Sequence, residues 1–586
     1  MSVSGKSLVL GMYCLISAPL FSNSVYLELN LNNQTIQERI RSSRSRPPLE
    51  LFRVIERAAR DKRIAGIVLN ASGFSANQEY IWELRSALEE FKSHGKKICA
   101  FISAAGLDVY CLATVADKIV MDEPGALSLT GYSWGRGYVR HTLEKLGIGV
   151  RELRYLQYKS GSEMFTRDSI SEADRRQYGE WLDDVFTVTR DTLIKARSWT
   201  PEKFDEIINR EFLYSAKGAL DRGLVDKLGR EDAMTEALKE IEGTEVKSFV
   251  YYGENDLCLM DCGSFYGPKK AGFFPRPPII AVVYANGQTD MERGMSARTL
   301  AKTIREISEK KRVKAIVIRI NSPGGSAEAA DYIAEAVRYA KTKIPVVVSM
   351  AQVAASGGYW AAMYANKIVA SPHTLTGSIG VIGSWFYDNG MNSKLGLSVD
   401  VLQRGDHADM GSGFFLPRRD LNADEEERYR TLLLDMYADF KAKVSAGRGM
   451  DIEKVEAAAQ GRVYSGIAAL NAGLIDGIGG LTDAVRIARN LAEIPENKQV
   501  TFHEYPRPTF WDKVLDRLPT AFASIIAGSN LGSNLGRNLS SAALSSSAFL
   551  ADMLPGEPLL AGLRYRISHN GRIMPILPME CGWISY

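Results

Sequence analysis

Residues 63–69 read RIAGIVL, and residues 312–318 read RVKAIVI. Both are mainly β-branched and other apolar residues, without the alternation of polar and apolar positions that marks a strand with one face in water. An unbroken apolar run of this length is typical of a strand buried on both faces, as in a parallel sheet covered by helices. Because the same kind of run occurs twice, an internal repeat is indicated.

The repeat extends beyond these two strands. Each run is followed by a turn, a helical pattern and a second apolar strand, which fall at 75–93 and 98–102 in the first half and at 327–341 and 344–348 in the second. The halves match again where ADKIV (116–120) corresponds to ANKIV (365–369). Alternation of strand and helix predicts an α/β fold, used here as a tandem duplication.

Length and composition agree with two large domains. The chain has 586 residues, and a single core stops growing at about 250–300 residues. A net charge of +3 is small for this length and gives no reason to expect a nucleic-acid partner. The predicted ranges are 1–45 for an N-terminal signal-like or anchor-like segment and lead-in, 46–265 for the first repeat, 275–495 for the second repeat and 496–586 for a C-terminal extension.

The differences between the halves are complementary. With the two KIV strings in register, Ser356 of the second half corresponds to Leu107 of the first, which has no hydroxyl. Further on, LQYK at 156–159 resembles LQRG at 402–405, so Lys159 corresponds to a glycine. Each half therefore keeps one reactive group that the other has lost.

Two glycine-rich strings suit acyl-transfer chemistry. Ser356 lies in AASGGY (354–359), where small neighbours leave its hydroxyl accessible to a base. NSPGGS (321–326) follows a strand, and the N–H groups of Gly324 and Gly325 could stabilise an oxyanion there. The same turn could also bind a phosphate, and AASGGY could simply be a tightly packed helix start.

The base for Ser356 has two kinds of candidate. His373 and His407 follow Ser356 in its own domain, so a Ser–His–Asp triad stays open. Lys159 serves only when it is neutral, and its ordinary pKa is about 10.4. Burial lowers the pKa of lysine, and the aromatic and aliphatic residues YLQY (155–158) precede Lys159. The alternative for Lys159 is an ordinary solvated surface lysine.

At these residues the chain resembles the signal peptide peptidase A (protease IV) family, of the long double-domain bacterial type. The resemblance covers about residues 50–490, and its strings are YKS (158–160), FTRD (165–168), NSPGGS, AASGGY and TGSIG (376–380). It implies tandem duplicated Clp-protease and crotonase-like domains with ββα units. It also implies a serine endopeptidase that degrades cleaved signal peptides in or at the membrane.

The resemblance assigns roles to six residues. Ser356 is expected to be the nucleophile, Lys159 the general base and Ser378 the residue that orients the lysine. The expected oxyanion-hole donors are the N–H groups of Gly324, Gly325 and Gly357. No cofactor and no metal is expected. The implied partners are apolar signal peptides, a membrane and further copies of the chain in a homotetramer, at the bacterial inner membrane with the catalytic part facing the periplasm or the outside.

The termini and cysteines add further expectations. The apolar stretch 7–21 is shorter than the roughly 20 residues of a membrane span and fits a signal-peptide core or a weak anchor. The tail beyond about 495 is expected to be either an amphipathic membrane contact or a loosely helical extension. Cys99 and Cys111 are expected to be core thiols. Cys258 and Cys262 could form a local disulfide, whereas a zinc site would need two more soft ligands nearby, and none appears.

Two other functions compete with this one. A crotonase-like enzyme acting on acyl-CoA would share the fold and the oxyanion hole, but it would need an acidic catalytic group and a CoA site. A catalytically dead membrane scaffold that binds peptides would keep the fold without turnover.

Overall fold

The computed structural model describes residues 25–31, 35–36, 48–230, 232–246, 248–252 and 277–507. The predicted N-terminal signal-like segment and the tail beyond residue 507 lie outside these ranges. So do four of the six cysteines, which are Cys14, Cys258, Cys262 and Cys581. Within these ranges, no helix combines the length and the apolar character that a membrane crossing requires.

Strands and helices alternate along most of the described chain. In chain order the strands are β1 (Val25–Asn30), β2 (Thr35–Ile36), β3 (Ile64–Asn70), β4 (Ser75–Ala76), β5 (Lys97–Gly106), β6 (Lys118–Ser128), β7 (Ile148–Leu153), β8 (Leu213–Ser215), β9 (Lys227–Leu228), β10 (Ser248–Tyr252), β11 (Ile279–Asn286), β12 (Thr289–Asp290), β13 (Met295–Ser296), β14 (Val313–Ser322), β15 (Val346–Ala355), β16 (Lys367–Ala370), β17 (Leu375–Gly377), β18 (Gly383–Asp388), β19 (Val463–Tyr464), β20 (Gly477–Ile478) and β21 (Thr501–Tyr505).

The helices cover both faces of the sheets. In the first half they span Pro48–Arg60, Gln78–Ser93, Leu107–Ala113, Arg140–Leu146, Glu163–Thr166, Glu172–Arg197, Pro201–Asp205 with a π-helical turn at Glu206–Glu211, Ala216–Asp221 and Ala233–Glu242. In the second half they span Ala297–Ser308, Ala327–Lys341, Gly357–Ala362, Met391–Lys394, Ala423–Arg448, Ile452–Ala458, Gly466–Asn471 and Leu481–Leu491.

The two main sheets have the same topology. The first has the order β10-β1-β3-β5-β6-β8 with β9 on β6, and the second has the order β21-β11-β14-β15-β17-β19 with β16 on β15 and β20 on β16. Pairing is parallel throughout, except for the antiparallel pairs β6–β8 and β17–β19. The predicted duplication of an α/β domain is therefore confirmed.

Strand β11 shows why the apolar runs lack alternation. Ile279, Ala281 and Val283 belong to the hydrophobic core on one face of the second sheet. Ile280 and Val282 belong to the core on the other face, against the helix Leu481–Leu491. Both faces are dry, so every position of the strand favours an apolar side chain.

A two-stranded sheet joins the halves. Strand β7 of the first half pairs antiparallel with β18 of the second, from Ile148 opposite Asp388 to Leu153 opposite Gly383. Gly149 lies flat against the Tyr387 ring, where an added Cβ would come within 2.2 Å of a ring carbon. Because Lys159 follows β7 by six residues, this pairing carries its loop onto the second half.

Both main sheets reach beyond the predicted domain ranges. Strand β1 lies in the stretch predicted as N-terminal lead-in, and β21 lies in the stretch predicted as C-terminal extension. Strand β1 lies between β3 and β10 in the first sheet, whereas β21 pairs with β11 at the edge of the second. Local sequence patterns do not reveal such long-range pairing.

The two described cysteines are core thiols, as predicted. Cys99 and Cys111 are both buried and free. Burial raises the pKa of each thiol to about 12. Neither thiol is ionised near neutral pH, and neither resembles a reactive cysteine.

Candidate active site

Ser356 lies at the turn between β15 and the helix Gly357–Ala362. It is fully buried, with φ of 56° and ψ of −116°, a conformation that is uncommon for a residue other than glycine. Its N–H donates to the Gly377 carbonyl oxygen at 2.8 Å, which holds the turn against β17. The fold thus keeps Ser356 in one strained conformation.

The small residues after Ser356 are required by close packing. A Cβ added to Gly357 would lie 2.5 Å from Thr289 Oγ1, and one added to Gly358 would lie 2.6 Å from the Ser322 carbonyl oxygen. The glycines therefore let this helix start approach the ends of strands β12 and β14 more closely than any other residue would allow.

Lys159 reaches this turn from the first half. Its side chain is buried, with 1% of the residue exposed, and its Nζ lies 2.7 Å from Ser356 Oγ. The same nitrogen lies 2.9 Å from Ser378 Oγ and 2.7 Å from the Ser378 carbonyl oxygen. The structure thus brings together all three side chains that the sequence singled out, and Lys159 is not a solvated surface lysine.

Ser378 is held as firmly as Ser356. It follows β17 with φ of 51°, again in the left-handed region, and it is fully buried. Its N–H donates to the Arg462 carbonyl oxygen at 2.7 Å. Its hydroxyl and its carbonyl oxygen both face the Lys159 amine, so one residue supplies two of the contacts that orient this side chain.

The second half also packs directly against the backbone of Lys159. The Gln460 carbonyl oxygen accepts the N–H of Tyr158 at 3.0 Å. A Cβ added to Gly461, whose φ is 80°, would lie 2.6 Å from the Lys159 Cβ and 2.7 Å from its N. The sequence analysis missed both residues, because their position depends on contacts about 300 residues along the chain.

The glycine turn after β14 is fixed by Thr289. The Thr289 N–H donates to the Gly324 carbonyl oxygen at 2.9 Å, and its carbonyl oxygen accepts the N–H of Ser326 at 2.8 Å. A Cβ added to Gly325 would lie only 2.2 Å from the Thr289 carbonyl oxygen. Thr289 was also missed by the sequence analysis; the signal that could have found it is its place just after β11, beside the end of β14.

The three glycines predicted as oxyanion donors differ in their partners. The Gly324 N–H donates to Ser322 Oγ at 3.2 Å, so the prediction that it joins the donor pocket is not supported by this geometry. Gly357 begins a helix, where N–H groups have no acceptor within the helix. The Gly325 nitrogen lies 3.3 Å from the Cβ position of Gly357. Gly325 and Gly357 therefore remain as the adjacent pair of candidate donors.

Neither candidate histidine bonds to Ser356 in the part of the chain that the structure describes. His373 is buried, and burial lowers its pKa to about 4. His407 Nδ1 lies 2.9 Å from Glu425 Oε1, in a different polar cluster. The open alternative of a histidine base has no geometric support. Within the described ranges, no group of three or more His, Cys, Asp or Glu side chains is arranged to hold a metal ion.

The corresponding turn in the first half has no nucleophile. Leu107 begins the helix after β5, as Ser356 precedes the helix after β15, and it is buried. The next residue, Asp108, accepts hydrogen bonds from the Tyr132 hydroxyl and from Gln78 Nε2. The first half thus keeps the architecture of the turn and fills it with a structural polar cluster.

Comparison with known families agrees with this arrangement. The profile of peptidase family S49 matches twice, over residues 90–245 and 338–495, which together make up more than half of the chain. The chain belongs to peptidase family S49. The Clp protease profile matches residues 287–375, in the second half. The fold is therefore a tandem pair of Clp-protease-like α/β domains, as the sequence predicted.

The relatives reported below carry the names of proteases and peptidases, and one of them is named a serine protease. "Serine protease SPPA, chloroplastic" of Arabidopsis thaliana is 32% identical over 81% of this chain and 70% of that protein. "Protease 4" of Salmonella typhi is 32% identical over 80% of this chain and 75% of that protein. "Putative signal peptide peptidase SppA" of Enterococcus faecium is 31% identical over 40% of this chain and 67% of that protein. The chain is a serine peptidase.

Proposed function

We propose that this chain is an endopeptidase with a Ser–Lys dyad, in which Ser356 is the nucleophile and Lys159 is the general base. The observation that carries the proposal is the 2.7 Å contact between Lys159 Nζ and Ser356 Oγ. A general base must lie within hydrogen-bond distance of the proton that it removes, and this contact meets that condition. The two groups come from different halves, which explains why each half has lost one of them.

The surroundings of Lys159 suit a neutral amine. Burial disfavours the charged form of a lysine, and this side chain is almost completely buried. A neutral amine has two N–H groups and one lone pair. The N–H groups can donate to the hydroxyl and carbonyl oxygens of Ser378, while the lone pair accepts the Ser356 proton. Ser378 is therefore a positioning residue for the base.

The reaction follows from this geometry. Lys159 takes the Ser356 proton while Oγ attacks the peptide carbonyl carbon, and the carbonyl electron pair moves to oxygen. The N–H groups of Gly325 and Gly357 stabilise the resulting oxyanion. When the oxyanion collapses, the C–N bond breaks and the Lys159 ammonium gives its proton to the leaving amine. The neutral amine of Lys159 then activates a water molecule, which hydrolyses the acyl-enzyme.

For the substrate, we propose apolar signal peptides that remain in a membrane after cleavage. The support is the name of the Enterococcus faecium relative, a putative signal peptide peptidase, together with the family resemblance. The apolar stretch 7–21 and the resemblance also support a location at the bacterial inner membrane, facing the periplasm, and a homotetramer. Membrane fractionation with a carbonate wash and light scattering of the purified protein test these two points.

The dyad is tested by hydrolysis of a fluorogenic apolar peptide. Ser356→Ala and Lys159→Met should each fold and lose nearly all activity. Lys96→Met is a matched control, because the Lys96 amine also donates to backbone oxygens inside the first half. It should melt at a lower temperature but keep its activity. Full activity of folded Lys159→Met would place the base elsewhere and overturn the proposal.

The same experiment separates the competing functions. Ser356 should react with a fluorophosphonate, which a crotonase-like acyl-CoA enzyme would resist. A dead scaffold would bind peptides without turnover, and Ser356→Ala would not change its binding. Because the dyad is divided between the halves, the second repeat expressed alone should neither react nor hydrolyse peptide. Activity of that isolated repeat would contradict a base from the first half.

A further inference from the structure

The loop that carries Lys159 is held on both sides by buried polar groups. Before Lys159, the Tyr158 carbonyl oxygen accepts a hydrogen bond from Gln177 Nε2 at 3.1 Å. After it, the Ser160 carbonyl oxygen accepts one from Arg136 Nη1 at 3.1 Å. The Ser160 hydroxyl donates to Asp174 Oδ1. The backbone on each side of the base is thus fixed, at Tyr158 and at Ser160, by side chains from other segments of the first half.

Arg136 and Asp174 form a buried ion pair beneath this loop. Arg136 Nη1 lies 2.7 Å from Asp174 Oδ2, and only 1% and 0% of the two side chains are exposed. The guanidinium lies over the stacked rings of Trp134 and Tyr178, at 5.4 and 5.7 Å from their centroids. Burial raises the pKa of Asp174, and the charge of Arg136 opposes that rise. A buried pair is costly to desolvate, so stability alone is a weak reason for its presence.

Gln177 connects this pair to the second half. Its Nε2 donates to Asp174 Oδ1 at 2.6 Å, and its Oε1 accepts the N–H of Val463 at 3.0 Å. Val463 follows directly on the segment that contains Gln460 and Gly461, which packs against Lys159 from the other side. The ion pair is therefore part of the contact that sets Lys159 relative to Ser356.

We infer that Arg136 and Asp174 are positioning residues for the base, which hold Lys159 opposite Ser356 through Ser160 and do so as a pair without net charge. The inference rests on the proposed function, since it assigns a role in that same site. Lys159 must stay neutral to act. An unpaired charge on Arg136 or on Asp174, next to the loop that carries Lys159, would shift the ionisation of its amine. A matched pair makes hydrogen bonds with both the carbonyl oxygen and the hydroxyl of Ser160 without adding such a charge.

Removing one charge of the pair should change the ionisation of Lys159 in a defined direction. Asp174→Asn leaves the Arg136 charge uncompensated, which disfavours the Lys159 ammonium. The acidic limb of the rate profile, which reports ionisation of the base, should then move to lower pH. In the double variant Arg136→Gln/Asp174→Asn neither side chain is charged, and the acidic limb should return to its wild-type pH. The other ionisable groups around the pair and the base are unchanged in these variants: Tyr138, Tyr158, Glu163, Arg167, Tyr178, Glu180 and Arg462.

The test is the second-order rate constant for fluorophosphonate labelling of Ser356 in the full chain, measured from pH 5 to 10. This probe reports the nucleophile and base without depending on the peptide sequence. Asp174→Asn should label about 10- to 100-fold more slowly, with its limb about half a pH unit or more lower. Ser160→Ala leaves no unpaired charge and should therefore destabilise the fold less than Asp174→Asn does. Its Ser356 should be labelled about 10-fold more slowly than in wild type, with the acidic limb at an unchanged pH.

A matched control separates positioning from stability. Glu83→Gln breaks another buried ion pair, in which Glu83 Oε1 lies 2.7 Å from Arg319 Nη1, with 4% and 0% of the side chains exposed. It should lower the melting temperature without moving the limb. If Asp174→Asn and Ser160→Ala both match Glu83→Gln in rate and limb, the positioning role is refuted while the dyad stands. If Lys159→Met still labels at the wild-type rate, the dyad itself falls.

Discussion

Gly461→Ala places a methyl group where the second half touches the base. The new Cβ would lie 2.6 Å from the Lys159 Cβ, whereas an ordinary contact between carbons is about 3.5 Å or more. Lys159 must therefore retreat by about 0.9 Å to restore an ordinary contact. If its amine moves equally, the 2.7 Å contact with Ser356 Oγ becomes about 3.6 Å, which is no longer a hydrogen bond.

A displacement of about 1 Å at a catalytic group can cost about 100-fold in rate, or about 2.7 kcal/mol. We expect kcat/KM for a fluorogenic apolar peptide to fall by about this factor. The matched control is Gly449→Ala, because Gly449 also has positive φ, of 64°, but nothing lies within 4 Å of its added Cβ. In both variants an alanine must adopt the left-handed backbone conformation, which costs about 1–2 kcal/mol of folding free energy. Both should therefore have a lower melting temperature than the wild type. A folded Gly461→Ala variant with wild-type kcat/KM would refute the reasoning.

Three further variants test other parts of the site and fold. Ser378→Ala removes the hydroxyl 2.9 Å from Lys159 Nζ but keeps the carbonyl contact, so kcat should fall only about 10-fold; an unchanged kcat would argue against its orienting role. Gly325→Ala drives a Cβ into Thr289, and kcat should fall about 100- to 1,000-fold with little change in KM, as expected for loss of an oxyanion donor. A change confined to KM would contradict that role. Hydrogen bonds from Arg419 hold the pKa of Glu425 at about 2, below its ordinary range, so the stability from this carboxylate is present above about pH 4.5 and is lost as pH falls towards 2. In Glu425→Gln the melting temperature should be lower at pH 7 and should fall less steeply below pH 5, as thermal melts would reveal; an identical slope would exclude the effect.

The fold was predictable because its strands are buried on both faces. Strand β11 and its counterparts need apolar residues at every position, and this requirement is local enough to read from the chain. The duplication made the pattern easier to recognise, because the same succession of strands and helices occurs in both halves. Strands β1 and β21 escaped prediction, because their place in the sheets depends on partners far away in the sequence.

The candidate dyad was predictable for a different reason. A duplicated domain that needs one reactive pair can lose one group from each half, and the register of the halves then exposes the loss at Leu107 and at Gly405. Residues that act through backbone shape leave no such trace. Thr289 and Gly461 look like ordinary loop residues until Thr289 is seen to fix the Gly325 turn and Gly461 to pack on Lys159.

The amino-acid sequence alone determined the repeated α/β architecture and singled out Ser356 and Lys159, and its resemblance to a known family added Ser378. Only the tertiary structure decided that they meet, because the pairing of β7 with β18 carries the Lys159 loop across to the other half. It also decided which glycine N–H groups are available, since the Gly324 N–H is taken by Ser322. Distances and hydrogen-bond partners of this kind depend on contacts between segments hundreds of residues apart, and local sequence carries no record of them.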